Sequence, residues 1–80
     1  MNGAGSAPGR TLESLSPGVV EVRASHPDDV GMALDDAVRA VGAAADRYGT
    51  GIMITDVGGG SYVVRAHPAV PYGLVRERQG

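Results

Sequence analysis

Residues 27–48 are PDDVGMALDDAVRAVGAAADRY and carry the most regular hydrophobic pattern in the chain. Apolar side chains recur there at steps of three and four residues, which is one stripe on a helix of 3.6 residues per turn. The stripe consists of Val30, Leu34, Val38, Val41, Ala45 and Tyr48, and it is widened by Ala33, Ala37 and Ala44. Ser25 is the expected N-cap, and Gly49 suits the left-handed position after the last turn. The pattern predicts an amphipathic helix with one face on a core.

Three segments around this helix have the composition of strands: VVEVRA at 19–24, TGIMITDV at 50–57 and SYVVRA at 61–66. The Gly58-Gly59-Gly60 turn makes the last two a hairpin, and a right-handed crossover makes the first two parallel. We therefore predict an α+β fold, a single small βαββ domain. Its three-stranded mixed sheet has the order 1-3-2 and carries the helix on one face. The predicted core consists of Val20, Val22, Val30, Leu34, Val38, Val41, Ile52, Ile54, Tyr62 and Val64.

The ends of the chain are rich in turn-forming residues. Residues 1–18 are predicted to be a disordered N-terminal tail, although the leucines of Thr11–Leu15 leave open a short turn that docks on a partner. Residues 19–75 form the predicted domain. Residues 70–73, Val-Pro-Tyr-Gly, suit a type I turn. The last residues, 76–80, are assigned to a C-terminal tail, with a short edge strand at Leu74–Arg78 as the alternative.

The composition excludes several classes of protein. The 80 residues contain no Cys, so disulfide frameworks, thiolate zinc sites and cysteine nucleophiles are excluded. All seven basic residues are Arg, and the net charge of −2 does not favour binding by phosphate neutralisation alone. No apolar run approaches the roughly 18 residues of a membrane span, and the N-terminus does not resemble a secretory signal. We expect a cytoplasmic protein without membrane contact, from a bacterium or phage of high GC content.

Two His-Pro pairs, at His26 and His67, raise the possibility of a metal site. The predicted topology places them at opposite ends of the sheet, because the strands that they follow run in opposite directions. Without cysteine the ligand set would also be thin. We therefore predict neither a metal nor another cofactor.

Polar residues gather at one end of the predicted sheet, and their types suggest nucleophilic catalysis. They are Ser25, His26, Asp28, Asp29, Asp56 and Ser61. Helix capping accounts for the first part of this set and the mouth of the hairpin for the rest, and so small a fold offers little concavity. The run Gly58–Gly60 joins two strands, whereas a phosphate loop joins a strand to a helix. The prediction is that the protein is not an enzyme.

The sheet face away from the helix is half apolar, and no remaining segment is large enough to cover it. It carries Val19, Glu21, Arg23, Met53, Thr55, Val57, Val63 and Arg65. Exposed apolar area of this kind marks an interface, and a core this small gains from association. The sequence predicts a non-enzymatic interaction module that forms a homodimer or binds a protein partner through this face or an edge strand. The predicted contact residues are Arg23, Met53, Thr55, Val57, Val63 and Arg65.

The alternative is a small dimeric regulator that binds DNA or RNA through its arginines. Those arginines are Arg23, Arg65, Arg76 and Arg78. The acidic helix argues against groove binding, and Tyr62 is expected to point into the core, where it cannot stack on bases. A minor subunit ordered only beside a larger partner is a third possibility.

Overall fold

The computed structural model describes residues 10–80, which form one helix and one five-stranded mixed sheet. The elements are β1 (Arg10–Ser16), β2 (Val19–Ala24), α1 (Pro27–Tyr48), β3 (Gly51–Gly58), β4 (Ser61–His67) and β5 (Val75–Gln79). The strand order is β1-β2-β4-β3-β5, and β3 with β5 is the parallel pair. The α+β class, the mixed sheet and the single helix on one face are confirmed. The predicted number of strands, three, is wrong, because the sheet has five. The three predicted strands are the middle of the sheet, in the predicted order.

Strand β1 lies in the segment that was predicted to be a disordered tail. It pairs antiparallel with β2 through the two-residue turn Pro17-Gly18, in which Gly18 has a φ of 81°. Proline followed by a left-handed glycine is the signature of a type II turn. Leu12 lies opposite Val22 and packs against the core, so this strand buries apolar surface as well as pairing its backbone. The rest of the predicted tail, residues 1–9, lies outside the described residues.

Strand β5 replaces most of the predicted C-terminal tail, so the alternative of a short edge strand is confirmed. Ile52 N–H donates to Leu74 O at 3.0 Å and Gly80 N–H donates to Asp56 O at 2.9 Å, so both ends of β5 are held to β3. The connection from β4 crosses the beginning of β3. Its turn spans residues 71–74 instead of 70–73, because Leu74 N–H donates to Pro71 O and Gly73 takes a φ of 88°.

The helix begins and ends where the periodicity predicts. Gly49 follows it in the left-handed conformation, with a φ of 69°, as expected. The predicted N-cap was wrong: the cap residue is His26, and no side chain caps the first turn. The chain leaves β2 in extended conformation through His26, and Pro27 then starts the helix without needing a backbone donor.

The core is built on the alanine side of α1. Small residues let the helix backbone lie close to the sheet, so the helix is rotated from the centre of the predicted stripe. As a result, Leu34 and Val38 are only partly buried, and Val30 is outside the core cluster. The cluster consists of Val20, Val22, Ala33, Ala37, Val41, Ala45, Ile52, Ile54 and Val64, with Tyr62 packed against it.

Candidate interaction surface

The face of the sheet opposite α1, here named the open sheet face, is displayed by two rows of residues that cross all five strands. One row is Glu13, Glu21, Val63, Thr55 and Arg78, and the other is Ser16, Val19, Arg65, Met53 and Arg76. A third, shorter row contains Thr11, Arg23 and Ser61. The helix packs on the other face, so side chains in these rows point away from the main core.

Five of the six predicted contact residues belong to these rows. Val57 follows them at the bulge that ends β3 and is 50 % exposed. Met53, however, is only 9 % exposed, so its prediction as a surface contact is corrected. It lies between Arg65 on β4 and Arg76 on β5, and the stems of long arginine side chains cover apolar neighbours. Arg76 belongs to β5, the edge strand that the sequence offers as the alternative to a tail.

The connection between β4 and β5 covers one end of the open sheet face. Gly51 shares the face of Met53, and the space where a Cβ would stand is filled by Val70, whose side chain is 1 % exposed. Gly51 N–H donates to Val70 O at 2.7 Å. The expectation that no segment covers any of this face was therefore wrong at this end. The part that stays open centres on Val63 and Arg65.

Charge is distributed unevenly between the two sides of the molecule. Four of the seven arginines lie on the open sheet face, together with two of the nine acids. These arginines are Arg23, Arg65, Arg76 and Arg78, and within residues 10–80 none of them forms a salt bridge. Arg78 Nε donates to Thr55 Oγ1 at 3.4 Å. The acids Glu13 and Glu21 lie on β1 and β2, where Arg23 also lies, and Arg76 and Arg78 lie on β5. The net charge of the face is therefore negative at the β1–β2 edge and positive at the β5 edge.

Of the residues considered for catalysis, Asp56 makes a side-chain hydrogen bond, and the nearby polar groups contact the backbone. Asp56 Oδ1 accepts a hydrogen bond from Gly58 N–H at 2.9 Å, and Gly60 O accepts one from Ala24 N–H at 2.9 Å. His26 and His67 lie at opposite ends of the sheet, because β2 and β4 are antiparallel. His67 Nδ1 accepts a hydrogen bond from Ala69 N–H at 3.0 Å. These contacts hold the hairpin and the loop after β4.

A second surface, which the sequence reasoning missed, is an apolar groove between α1 and β5. Its volume is about 550 Å³. Its apolar lining is Leu34, Val38, Ile54 and Val75, and charged side chains also line it: Asp35, Arg39 and Glu77. It exists because the helix is rotated toward β2 and β4 and leaves β5 without a helical cover. No simple pattern in the sequence signals it, since Leu34 and Val38 have the spacing of core residues.

The loop before β5 is fastened to the end of the helix. The Tyr72 hydroxyl donates to Asp46 Oδ1 at 2.8 Å, although the tyrosine ring is 62 % exposed. This hydrogen bond and the negative charge of Asp46 raise the pKa of Tyr72 above its ordinary value of 10.0. The contact joins the connection that crosses β3 to the last turns of α1.

Comparisons add no functional assignment to this geometry. Among residues 10–80, no helix combines the length and the apolar character that a membrane span requires. Comparison with protein-family models, with curated proteins and with solved structures finds no significant match to this chain.

Proposed function

We propose that the protein is a non-enzymatic interaction module whose interface is the open sheet face. The observation that carries this proposal is a five-stranded sheet whose single helix within residues 10–80 lies on one side. On the other side, partly buried Val63 and Val19 have exposed Arg23 and Arg65 and the carboxylate of Glu21 as neighbours. An apolar centre within a polar, charged rim is the anatomy of a protein–protein interface.

The test introduces a charge at the centre of the face. Val63→Asp buries a carboxylate in any interface formed there, so we expect association to be lost, whether with a second copy or with another protein. The matched control is Val75→Asp, the same substitution on the α1–β5 groove of the opposite face. Sedimentation velocity measures association, and circular dichroism melts show that both variants stay folded.

Two outcomes oppose the proposal. If Val63→Asp associates like the unchanged chain while Val75→Asp does not, the groove is the interface and the open sheet face is not. If the unchanged chain melts cooperatively as a monomer and captures no protein partner, the argument from an unpartnered face fails. Met53 is unsuitable for this test, because its burial means that a charge there would also destabilise the fold.

Nucleic-acid binding is the second candidate, and one observation favours it. The four arginines that the alternative requires do share the open sheet face without salt bridges among residues 10–80. Against it, Tyr62 faces the helix, so it cannot stack on bases from this surface, and Glu13 and Glu21 lie on the same face. Binding to a single-stranded oligonucleotide that collapses between about 50 and 200 mM salt would favour this candidate.

A further inference from the structure

The charges in one row of the open sheet face are arranged so that the row complements itself when reversed. The row runs Glu13, Glu21, Val63, Thr55, Arg78 from β1 to β5. Its acids lie at one end, its arginine lies at the other, and an apolar side chain stands in the middle on β4. The neighbouring row ends in Arg76 on the same strand as Arg78, which strengthens the basic end.

We infer that the partner of this face is a second copy of the chain, packed face to face around a two-fold axis parallel to β4. The inference rests on the proposed function. Such an axis lies between the two sheets and places β4 over β4, β2 over β3, and β1 over β5. Val63 then meets Val63 of the second copy, and Glu13 meets Arg78 at both ends of the interface. Isologous two-fold contacts are the commonest form of self-association.

The twist of packed sheets keeps the charge contacts within reach. Aligned sheets cross at about −30°, and the outer strands lie about 10 Å from the central one, so the ends of a row shift by about 5 Å. Arg76 and Arg78 are two residues apart and lie about 7 Å from each other along β5. Glu13 therefore faces one or the other of them at any plausible twist.

Arg65 is the residue at which the two-fold arrangement brings like charges together. It lies on β4 beside Val63, so the axis brings it near Arg65 of the second copy. Glu21 is its diagonal neighbour on β2, because Glu21 pairs with Val63 and Val19 pairs with Arg65. The glutamates of the two copies thus flank the two arginines, and this alternation of charge offsets their repulsion.

A stack of the basic sheet face on the acidic helix of another copy is the competing arrangement. The exposed surface of α1 carries charged side chains such as Asp35 and Arg39. Its large exposed apolar side chains, Met32 and Tyr48, lie toward opposite ends of the helix, so no large apolar side chain stands at its centre to meet Val63. The face-to-face arrangement places Val63 on Val63 and each Glu13 against an arginine of the other copy. A sheet face of five strands measures roughly 24 by 20 Å, so two faces bury about 1,000 Å², near the lower limit of specific interfaces. We expect a dissociation constant in the micromolar range.

Complementary charge reversals test the geometry. In Glu13→Arg alone, arginine meets arginine at both ends of the interface, and in Arg76→Glu/Arg78→Glu alone, glutamate meets glutamate. We expect each variant to dimerise at least about tenfold more weakly than the unchanged chain, since exposed ion pairs contribute modestly but each recurs twice. An equimolar mixture restores opposite charges at both ends, so we expect it to form a dimer again. The matched controls, Asp35→Arg and Arg39→Glu, reverse exposed helix charges and should leave dimerisation unchanged.

Light scattering after size exclusion gives the mass, and the outcomes separate the claims. Recovery of a species of two chains in the mixture supports the two-fold arrangement. If Val63→Asp abolishes association but the mixture stays monomeric, the face is an interface and the two-fold arrangement is wrong. If the mixture instead forms particles whose mass grows with protein concentration, β1 of one copy contacts β5 of the next along the sheet edges. This outcome also overturns the proposal. An unchanged chain that is monomeric at about 100 µM overturns it directly, whether or not another protein binds the face.

Discussion

Gly51 shows at the scale of one residue how the connection to β5 is accommodated. The chain passes from β4 to β5 over the first residue of β3, and this crossing leaves no room for a side chain. A Cβ on Gly51 would run into Val70 Cγ1 and into the carbonyl oxygens of Pro71 and Leu74. Its φ lies outside the left-handed region, so the need for glycine here is steric and not conformational.

We therefore expect Gly51→Ala to destabilise the protein by about 2 kcal/mol, the cost of overpacking a closed site. Gly31→Ala is the control, because nothing lies within 4 Å of a Cβ added at this helical position. It should instead stabilise the protein by up to about 1 kcal/mol, the difference in helix propensity. Urea denaturation measures both. If both substitutions changed the free energy of unfolding equally, the connection between β4 and β5 would move aside easily and would not be tightly packed over Gly51.

Tyr72 gives a pH-dependent contact at the same scale. Its pKa is raised above 10.0 by the hydrogen bond to Asp46 and by that carboxylate's charge. The folded state thus holds the proton of Tyr72 more tightly than the unfolded state does. The contact is fully present below pH 10.0, and its contribution to stability is lost as the pH rises through the raised pKa.

Removal of the carboxylate should reverse this shift. In Asp46→Ala we expect the pKa of Tyr72 to fall back toward its ordinary value of 10.0. An NMR titration that follows the Tyr72 ring resonances measures the change. Asp35→Ala, an exposed acid elsewhere on α1, serves as the control and should leave the titration of Tyr72 unaltered. A raised pKa that survives in Asp46→Ala would contradict the hydrogen bond as its cause.

At the scale of elements, the orientation of α1 decides which side chains hold the fold and which remain available. Val41 is fully buried in the core cluster, whereas the larger Leu34 is only partly buried on the flank that borders β5. A hydrophobic stripe centred on the largest side chains would predict the reverse. The alanines at positions 33, 37 and 45 set the orientation, because they permit the closest approach of helix and sheet.

Truncation of the Val41 and Leu34 side chains tests the orientation of α1 on the sheet. We expect Val41→Ala to destabilise the protein by about 2 kcal/mol, through lost burial and a residual cavity. Leu34→Ala should cost less than half as much, although it removes more atoms, because solvent already reaches that position. Urea denaturation gives the free energy of unfolding of both variants and shows which substitution costs more. A larger cost for Leu34→Ala would mean that the predicted stripe, centred on the larger side chains, faces the sheet.

The same elements show what could be predicted from sequence. The α1 periodicity, the alternation in β2 and the Gly58–Gly60 turn are local signals, and they located the middle of the sheet in the correct order. The turn at residues 17–18 was also a local signal, since Pro-Gly between two strand-like runs predicts a hairpin. It was missed because glycine and proline nearby suggested disorder. Strand β5 has a weaker signal: its sequence VRERQ is mostly polar, and it is held by backbone pairing with β3 and by the hydrogen bond from Arg78 to Thr55.

Most of the open sheet face was predictable, but its covered part was not. The alternation of side chains along β4 predicts that Val63 and Arg65 lie on the open sheet face and that Tyr62 and Val64 lie on the helix face. The cross-strand register agrees. The burial of Met53 depends on β5, which the sequence offered as an alternative to a tail, so this burial was not predicted. The groove beside α1 could not be predicted either, because it arises from the rotation of the helix and not from any run of residues.

At the scale of the whole molecule, the two sides carry opposite net side-chain charge. The open sheet face has four arginines and two glutamates, and the remaining seven acids and three arginines lie elsewhere. Opposite charge on opposite sides would also permit head-to-tail stacking, which grows without limit, whereas a two-fold dimer stops at two chains. The charges that oppose each other in the proposed dimer are exposed at its rim.

Ionic strength should therefore weaken the dimer without abolishing it. Exposed rim pairs are screened as the Debye length falls from about 14 Å at 50 mM salt to about 4 Å at 500 mM, while the contact between the Val63 side chains is not. We expect the dissociation constant, measured by sedimentation equilibrium, to rise about tenfold over this range. In Glu13→Gln/Arg78→Gln, which removes the rim pairs but keeps the centre, the dimer should be weaker at low salt. It should not weaken further as salt is added, because the charges left on each face, three arginines and one glutamate, repel those of the other copy and salt screens this repulsion. Tighter association of the unchanged chain at high salt would instead mean that repulsion between the arginines dominates the interface, and that Glu13 and Arg78 do not meet.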